Sequence, residues 1–213
     1  MDLSGFLLSF LKLLLLSMVP YILASQGTML GGRTGVFNVA QEGIMLVGGS
    51  VGFLAAYKSG SIATGILAAI LTGGLFGLAL AYFTTNLKLD QFVIGLALFF
   101  TGVGLSTLLP KLVIGVTLTP PIIPTLPNLP IPLLSQIPFL GDIFFNQNWM
   151  VYFSILLSVL LYYILFKTSF GLSLRSVGEN PMAADSLGVN VVRMRYLTAV
   201  LGGMLIAMAG VYL

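Results

Sequence analysis

The sequence predicts an all-α fold, a polytopic membrane helix bundle forming one domain over residues 1–213. Of the 213 residues, 58% are hydrophobic and only 7% are charged, whereas a soluble domain carries about a quarter charged residues. Too few polar groups exist to cover a surface facing water. Apolar runs of about 20 residues, the length that crosses a hydrocarbon core, recur between short polar breaks, giving about six spans. The 25 glycines suit helices that approach closely in lipid.

The first run is Leu3–Leu23, with Lys12 inside it and Pro20 near its end. Asp2 stands where a cleaved signal peptide has a basic region, and the apolar stretch is too long for one, so the run reads as a true span. The second covers Val36–Tyr57, the third Ile62–Thr84, the fourth Gln91–Leu109 and the fifth Trp149–Phe166. The sixth starts near Tyr196 and is still apolar at Leu213, so the domain is expected to be truncated at its C-terminal end. With the 167–195 loop in the cytoplasm, alternation puts Lys167, Arg175, Arg193, Arg195, Lys88 and Arg33 inside, and Lys58 and Lys111 outside. Basic residues favour the cytoplasmic side, and this arrangement places the N-terminus outside.

Cysteine and histidine are both absent, which removes disulfides, thiol nucleophiles, imidazole acid–base chemistry and the usual zinc sites. An intramembrane aspartyl enzyme needs two embedded acids, yet Asp90, Asp142 and Asp185 fall at span ends or in loops, and Glu42 stands alone. The phosphate-binding pattern G-x-x-x-x-G-K-[S/T] does not occur. The basic residues are not clustered on one soluble element, so no nucleic-acid partner is expected.

Four local features carry information. In Gly31–Gly43 and just beyond it, Asn38, Gln41, Glu42 and Met45 fall at i, i+3, i+4 and i+7, one helical face. Two amides and a carboxylate are costly against lipid, so they line a pathway or bond to a neighbouring helix; Phe37, Asn38, Gln41 and Glu42 are the candidate pathway residues. Gly48 with Gly52, and Gly73 with Gly77, have the spacing of tight helix packing. Seven of the ten prolines lie between Pro120 and Pro138, and Pro121, Pro124, Pro127 and Pro130 repeat every third residue, as in polyproline II. That segment is a stiff connector packed on its own helices or an external platform for a delivery protein.

The fourth feature is the run Phe166–Val189. Asn180 suits an N-cap, Pro181 the first helical position and Gly188 the C′ stop, which predicts a helix over Pro181–Leu187. Isolated helices shorter than roughly 12–15 residues are marginal in water, so this one must dock on its own bundle or on a cytoplasmic partner. Ala183 and Ala184 are small enough to enter a groove.

Phe170-Gly171-Leu172 through Arg175, then Val177-Gly178-Glu179-Asn180-Pro181, Ala183-Ala184 and Gly188-Val189-Asn190, resembles the cytoplasmic coupling segment of the membrane subunits of bacterial ABC importers for branched-chain amino acids and simple sugars. Arg33–Asn38 with Glu42-Gly43 resembles a second signature of that group, and Ile137–Gly141 is similar to its nucleoside-type members. The resemblance implies a multi-pass permease of the bacterial cell (inner) membrane, in contact with lipid, moving a nucleoside or simple sugar by alternating access. It implies a second permease subunit, an extracytoplasmic substrate-binding protein and an ATP-binding cassette ATPase. ATP and Mg would sit on that ATPase, with no cofactor in this chain, and the chain would be a transport subunit rather than an enzyme. Glu179, Asn180, Pro181, Met182, Ala183, Ala184, Asp185, Leu187 and Gly188 would form the ATPase-coupling surface. The alternative is a stand-alone channel or secondary carrier for a small polar solute, which needs the polar face but no docking helix.

Overall fold

The computed structural model describes residues 3–115, 126–130, 132 and 141–213. Its α-helices are α1 (Leu3–Gly32), α2 (Gln41–Ser59), α3 (Ile62–Ala81), α4 (Gln91–Val113), α5 (Trp149–Lys167), α6 (Ser169–Glu179), α7 (Pro181–Ser186) and α8 (Val191–Tyr212). Two short strands, β1 (Asn128–Pro130) and β2 (Asn146–Asn148), pair antiparallel with Leu129 opposite Gln147. Most of the proline-rich repeat lies outside the described residues, although Leu126 packs against the bundle.

Five helices, α1, α3 with the turn that follows it, α4, α5 and α8, are long and apolar enough to cross a membrane. The second expected span corresponds to α2, a 19-residue helix packed among α3, α4 and α8; it is the one of the six expected spans that falls short of those five in apolarity. Boundaries differ from the sequence reading where polar residues sit inside helices. α1 runs on through Ser25, Gln26 and Thr28 to Gly32, because a membrane helix satisfies its own backbone and tolerates such side chains against neighbours. Its 30 residues span about 45 Å at 1.5 Å per residue. α8 starts at Val191, so Arg193 and Arg195 lie in its first turns rather than in a loop.

The cationic ends gather on one side. Arg33 and Arg175 both stand over the Phe166 ring, Arg195 Nε donates to the Thr34 carbonyl at 3.2 Å, and the Tyr196 hydroxyl donates to Asn86 Oδ1 at 2.7 Å. These contacts bring the C-terminal ends of α1, α3 and α5 and the N-terminal end of α8 to one side, while Lys58 and Lys111 close the far ends of α2 and α4. The positive side is the one that the distribution of basic residues in the sequence leads one to expect in the cytoplasm.

Glycines interlock the centre. A methyl placed on Gly73 would collide with the Gly203 carbonyl oxygen and meet Ala207 Cβ at 2.5 Å, and one on Gly203 would collide with Gly73 in return. Gly77 meets Ala199 in the same way. Gly27 and Gly202 join α1 to α8, Gly52 and Gly65 join α2 to α3, and Gly43 and Gly102 join α2 to α4. Side chains therefore do not separate these helices; backbone lies on backbone. α5 has no glycine and meets α1 through Gln26, which donates to the Ser154 carbonyl at 3.2 Å and to Ser158 Oγ at 2.5 Å, and through an apolar cluster including Leu23 and Met150.

Gly73→Ala is expected to destabilise the bundle by about 1–3 kcal/mol, the usual cost of overpacking. Gly104→Ala, which faces open space, is expected to leave stability unchanged or slightly improved. Thermal unfolding in detergent checks both, at roughly 2–4 °C of Tm per kcal/mol for a chain of this size; equal midpoints would contradict the interlock.

Candidate functional site

The segment joining α1 to α2 is held from four directions. Its first turn closes on α1 through Thr34 N to the Gly31 carbonyl and Val36 N to the same oxygen, both at 3.0 Å. Thr34 is buried, and its hydroxyl lies 2.7 Å from that of Thr198 on α8. From α4, Gln91 uses both ends of its amide: Nε2 donates to the Gly35 carbonyl and Oε1 accepts from Phe37 N, each at 2.8 Å. From α6, Gly178 rests directly on the Arg33 carbonyl, where a side chain would collide.

This clamped segment corrects the expected helical face. α2 begins at Gln41, not at Val36, so Asn38 is not on the helix with Gln41, Glu42 and Met45. Asn38 is buried and turns its side chain back, Oδ1 accepting from Ala40 N at 3.0 Å. Amides of this kind compete with the helix for backbone groups and so fall at its entrance.

The four predicted residues still converge. Phe37, Asn38, Gln41 and Glu42 line one recess of about 460 Å³, together with Thr28, Val39, Leu96 and Phe99. Phe37, 61% exposed, forms the rim shared with an adjoining recess of about 510 Å³ that reaches Ser25, Met29 and Arg33. Within the first recess, the Thr28 hydroxyl donates to Gln41 Oε1 at 2.6 Å, and the exposed Glu42 carboxylate makes no ion pair among the described residues. The sequence reading missed Thr28, Phe99 and Gln91. Ending the first span at Leu23 hid Thr28, whose signal was the polar run Ser25-Gln26-Gly27-Thr28; nothing local marked Phe99. Another recess of about 580 Å³ opens at the opposite end beside Leu16, Phe53 and Tyr212. Its Asn148 amide already donates to the Tyr212 hydroxyl at 3.2 Å, so it offers less unspent polar capacity than the recess at Gln41 and Glu42.

The second candidate region is a chain of capped helices. Thr168 caps α6 by accepting from Gly171 N at 3.1 Å, Asn180 caps α7 by accepting from Ala183 N at 3.1 Å, and Asn190 caps α8 by accepting from Arg193 N at 2.8 Å. The sequence reading left 169–179 as loop. It is α6, whose Leu174 and Val177 are buried, with Leu174 in a cluster with Leu30, Leu161 and Leu165. The short helix is present as α7, one residue shorter than expected, with Leu187 as its C-cap. Gly188 follows at φ 84°, a left-handed conformation that glycine adopts without strain.

Ala184 is 1% exposed, buried against its own chain. Its place on the inner face of α7 docks that helix on its own bundle, one of the two alternatives the sequence left open. The side chains left uncovered are Met182 at 84% and Leu187 at 83% exposure, flanked by exposed Glu179, Asn180, Ala183, Asp185 and Gly188, with Pro181 half-buried.

Comparison with known proteins decides the family. The model of the family described as branched-chain amino acid transport system / permease component matches residues 9–213. The chain belongs to that family. The guanosine ABC transporter permease protein NupQ of Bacillus subtilis (strain 168) is 37% identical over 201 residues, covering 90% of this chain and 62% of the relative. The nucleoside ABC transporter permease protein NupC of Lactococcus lactis subsp. cremoris is 39% identical over 209 residues, covering 92% and 64%. The putative glucose ABC transporter permease protein TsgC13 of Haloferax volcanii is 30% identical over 196 residues, covering 90% and 58%. The chain thus spans less than two thirds of the length of these relatives. No solved structure matches. Family membership and the apolar helices make the chain a multi-pass protein of the bacterial inner membrane, in a family of permease components.

These 213 residues contain no cysteine, so single-cysteine variants of this chain report the recess directly. Phe37→Cys and Glu42→Cys should react with a membrane-impermeant maleimide from the cytoplasmic side at least about ten times faster than Ala40→Cys, whose position is fully buried. Equal rates at positions 40 and 42 would mean that the recess is closed.

Proposed function

We propose that this chain is the membrane-spanning permease subunit of an ATP-driven importer, moving a nucleoside or simple sugar by alternating access. The observation that carries the reading is mechanical: Gly178, two residues before the α7 cap, bears on the Arg33 carbonyl at the root of the segment that carries Phe37 and Asn38 and leads into Gln41 and Glu42 of α2. A push on α7 reaches the recess through one backbone contact. Small displacements in packed elements are passed on because such packing does not deform continuously.

In this reading Met182 and Leu187 seat in a groove of an ATP-binding cassette ATPase, with Glu179, Asn180, Pro181, Ala183, Asp185 and Gly188 around them. Ala184 anchors α7 from behind. ATP and Mg belong to that ATPase. A second permease subunit faces this one across the pathway, and an extracytoplasmic substrate-binding protein delivers solute to the opposite side. The recess begins in the first turn of α2 on the positive side, so Phe37, Asn38, Gln41 and Glu42 form the inner gate. Its aromatic rim and unspent amide and carboxylate groups suit a solute with a flat ring and several hydroxyls. The nucleoside permeases among the relatives and the putative glucose permease support this solute class. A stand-alone channel or carrier has no use for two large apolar side chains in water beside a six-residue helix.

Two measurements test the reading. Burying a Met or Leu side chain is worth about 1.5–3 kcal/mol, so Met182→Asp with Leu187→Asp should reduce co-purification of the ATPase at least about tenfold while the permease still inserts. Undiminished association and transport would remove α7 from the coupling role. Glu42→Gln should lower solute uptake several-fold with little change in expression; parallel losses in both would make Glu42 a packing residue instead.

A further inference from the structure

The cytoplasmic ends of α1, α5 and α6 carry a second site, independent of the importer reading. Two guanidiniums approach one ring: Arg33 Cζ lies 5.6 Å and Arg175 Cζ 5.1 Å from the Phe166 centroid. A ring face attracts a cation electrostatically but accepts little from its N–H groups. Each guanidinium has five donors in a planar fork. Arg175 Nε is buried with no hydrogen-bond partner, and neither side chain forms a hydrogen bond or ion pair among the described residues. Glu179, a turn further along α6, does not pair with Arg175. Arg195 by contrast is engaged with the Thr34 carbonyl. Lys167, exposed at the end of α5, follows Phe166 directly in the chain. Two like charges meeting at one ring, with their donors unspent and a third cation close by, leave room for an anion.

The surroundings identify what kind of anion. Phe166 is 40% exposed, and its ring lies 5.3 Å from that of Tyr162. Tyr162, Tyr163 and Leu172 are all largely exposed, and aromatic residues near span ends mark the level of lipid headgroups. Apolar and aromatic side chains thus surround cationic donors where α5 ends. Basic pockets between helices on the cytoplasmic side suit anionic headgroups, and a planar guanidinium matches phosphate geometry.

We propose that Arg33 and Arg175 form a binding site for an anionic phospholipid of the inner leaflet, its phosphate shared between the two guanidiniums and its acyl chains lying along Phe166 and Tyr162. Lys167 adds charge at the headgroup. The bound lipid would brace α6 against α1 at the place where Gly178 meets the Arg33 carbonyl.

The test uses the purified full chain and native mass spectrometry, with phosphatidylglycerol and phosphatidylcholine offered together. Phosphatidylglycerol should be retained over phosphatidylcholine by about fivefold or more, and Arg33→Gln and Arg175→Gln should each reduce its retention about fivefold, the increment of one basic residue near a charged surface. Arg175→Lys, which keeps the charge but loses the planar fork, should retain an amount between those of the unaltered chain and Arg175→Gln, and Lys58→Gln, at the far end of the bundle, should keep all of it. Equal retention of the two lipids overturns the proposal, as does unchanged retention in the Arg33→Gln, Arg175→Gln double variant. Displacement of phosphatidylglycerol by an equal concentration of inorganic phosphate overturns it in favour of a soluble anion. If Arg175→Gln loses monodispersity on gel filtration, the lipid preference of the unaltered chain and the Arg33→Gln variant decide the outcome.

Discussion

Lipid tails are as apolar as leucine, so hydrophobicity gives spanning helices no reason to associate with one another. What joins them here is close approach: carbonyl oxygens of one helix seated on glycine α-carbons of the next, repeated along α8 at Gly202, Gly203 and Gly210. Dispersion contacts are weak singly, but they accumulate when backbones touch along their length. α8 serves as the common partner of α1, α2 and α3. The site depends on this arrangement, because α8 also supplies Thr198 and Arg195 to the turn after α1.

That turn is where packing becomes chemistry. Residues 33–40 are irregular backbone near the membrane, which is tolerated only where neighbours satisfy its polar groups. Gln91, Arg195, Thr198 and the helix end at Gly31 meet that need one group at a time. The result is a segment that cannot relax independently of α4, α6 or α8. It presents Phe37 to open space while holding Asn38 and Thr34 inside, and it sets the start of α2 so that Glu42 is exposed. The fixed and the available polar groups are thus sorted by backbone geometry rather than by helical periodicity.

Much of this was legible in the sequence, for physical reasons that differ by element. The spans were visible because length and apolarity report directly on bilayer thickness. α7 was visible because Asn180, Pro181 and Gly188 each have one strong positional preference. α6 was not, since Ser169–Glu179 mixes glycine and serine with few apolar residues, and its place is fixed by Leu174 meeting Leu30 and Leu165. The entrance to α2 was misplaced because periodicity treats Asn38 as one more helical position, whereas its side chain competes for the backbone at Ala40. The inward face of Ala184 could not be seen either. Which side of a six-residue helix turns to the bundle depends on where α6 and α8 direct it.

The absence of glycine from α5 divides the bundle mechanically. α1, α2, α3, α4 and α8 mesh like teeth, and sliding any of them would drive a carbonyl into an α-carbon. α5 touches this block through an amide, two serines and flexible apolar side chains, contacts that can be exchanged one for another. A load applied at α7 and carried by the capped α6 therefore meets one stiff body and one yielding helix. Rolling of α5 over α1 is the cheapest displacement the architecture permits.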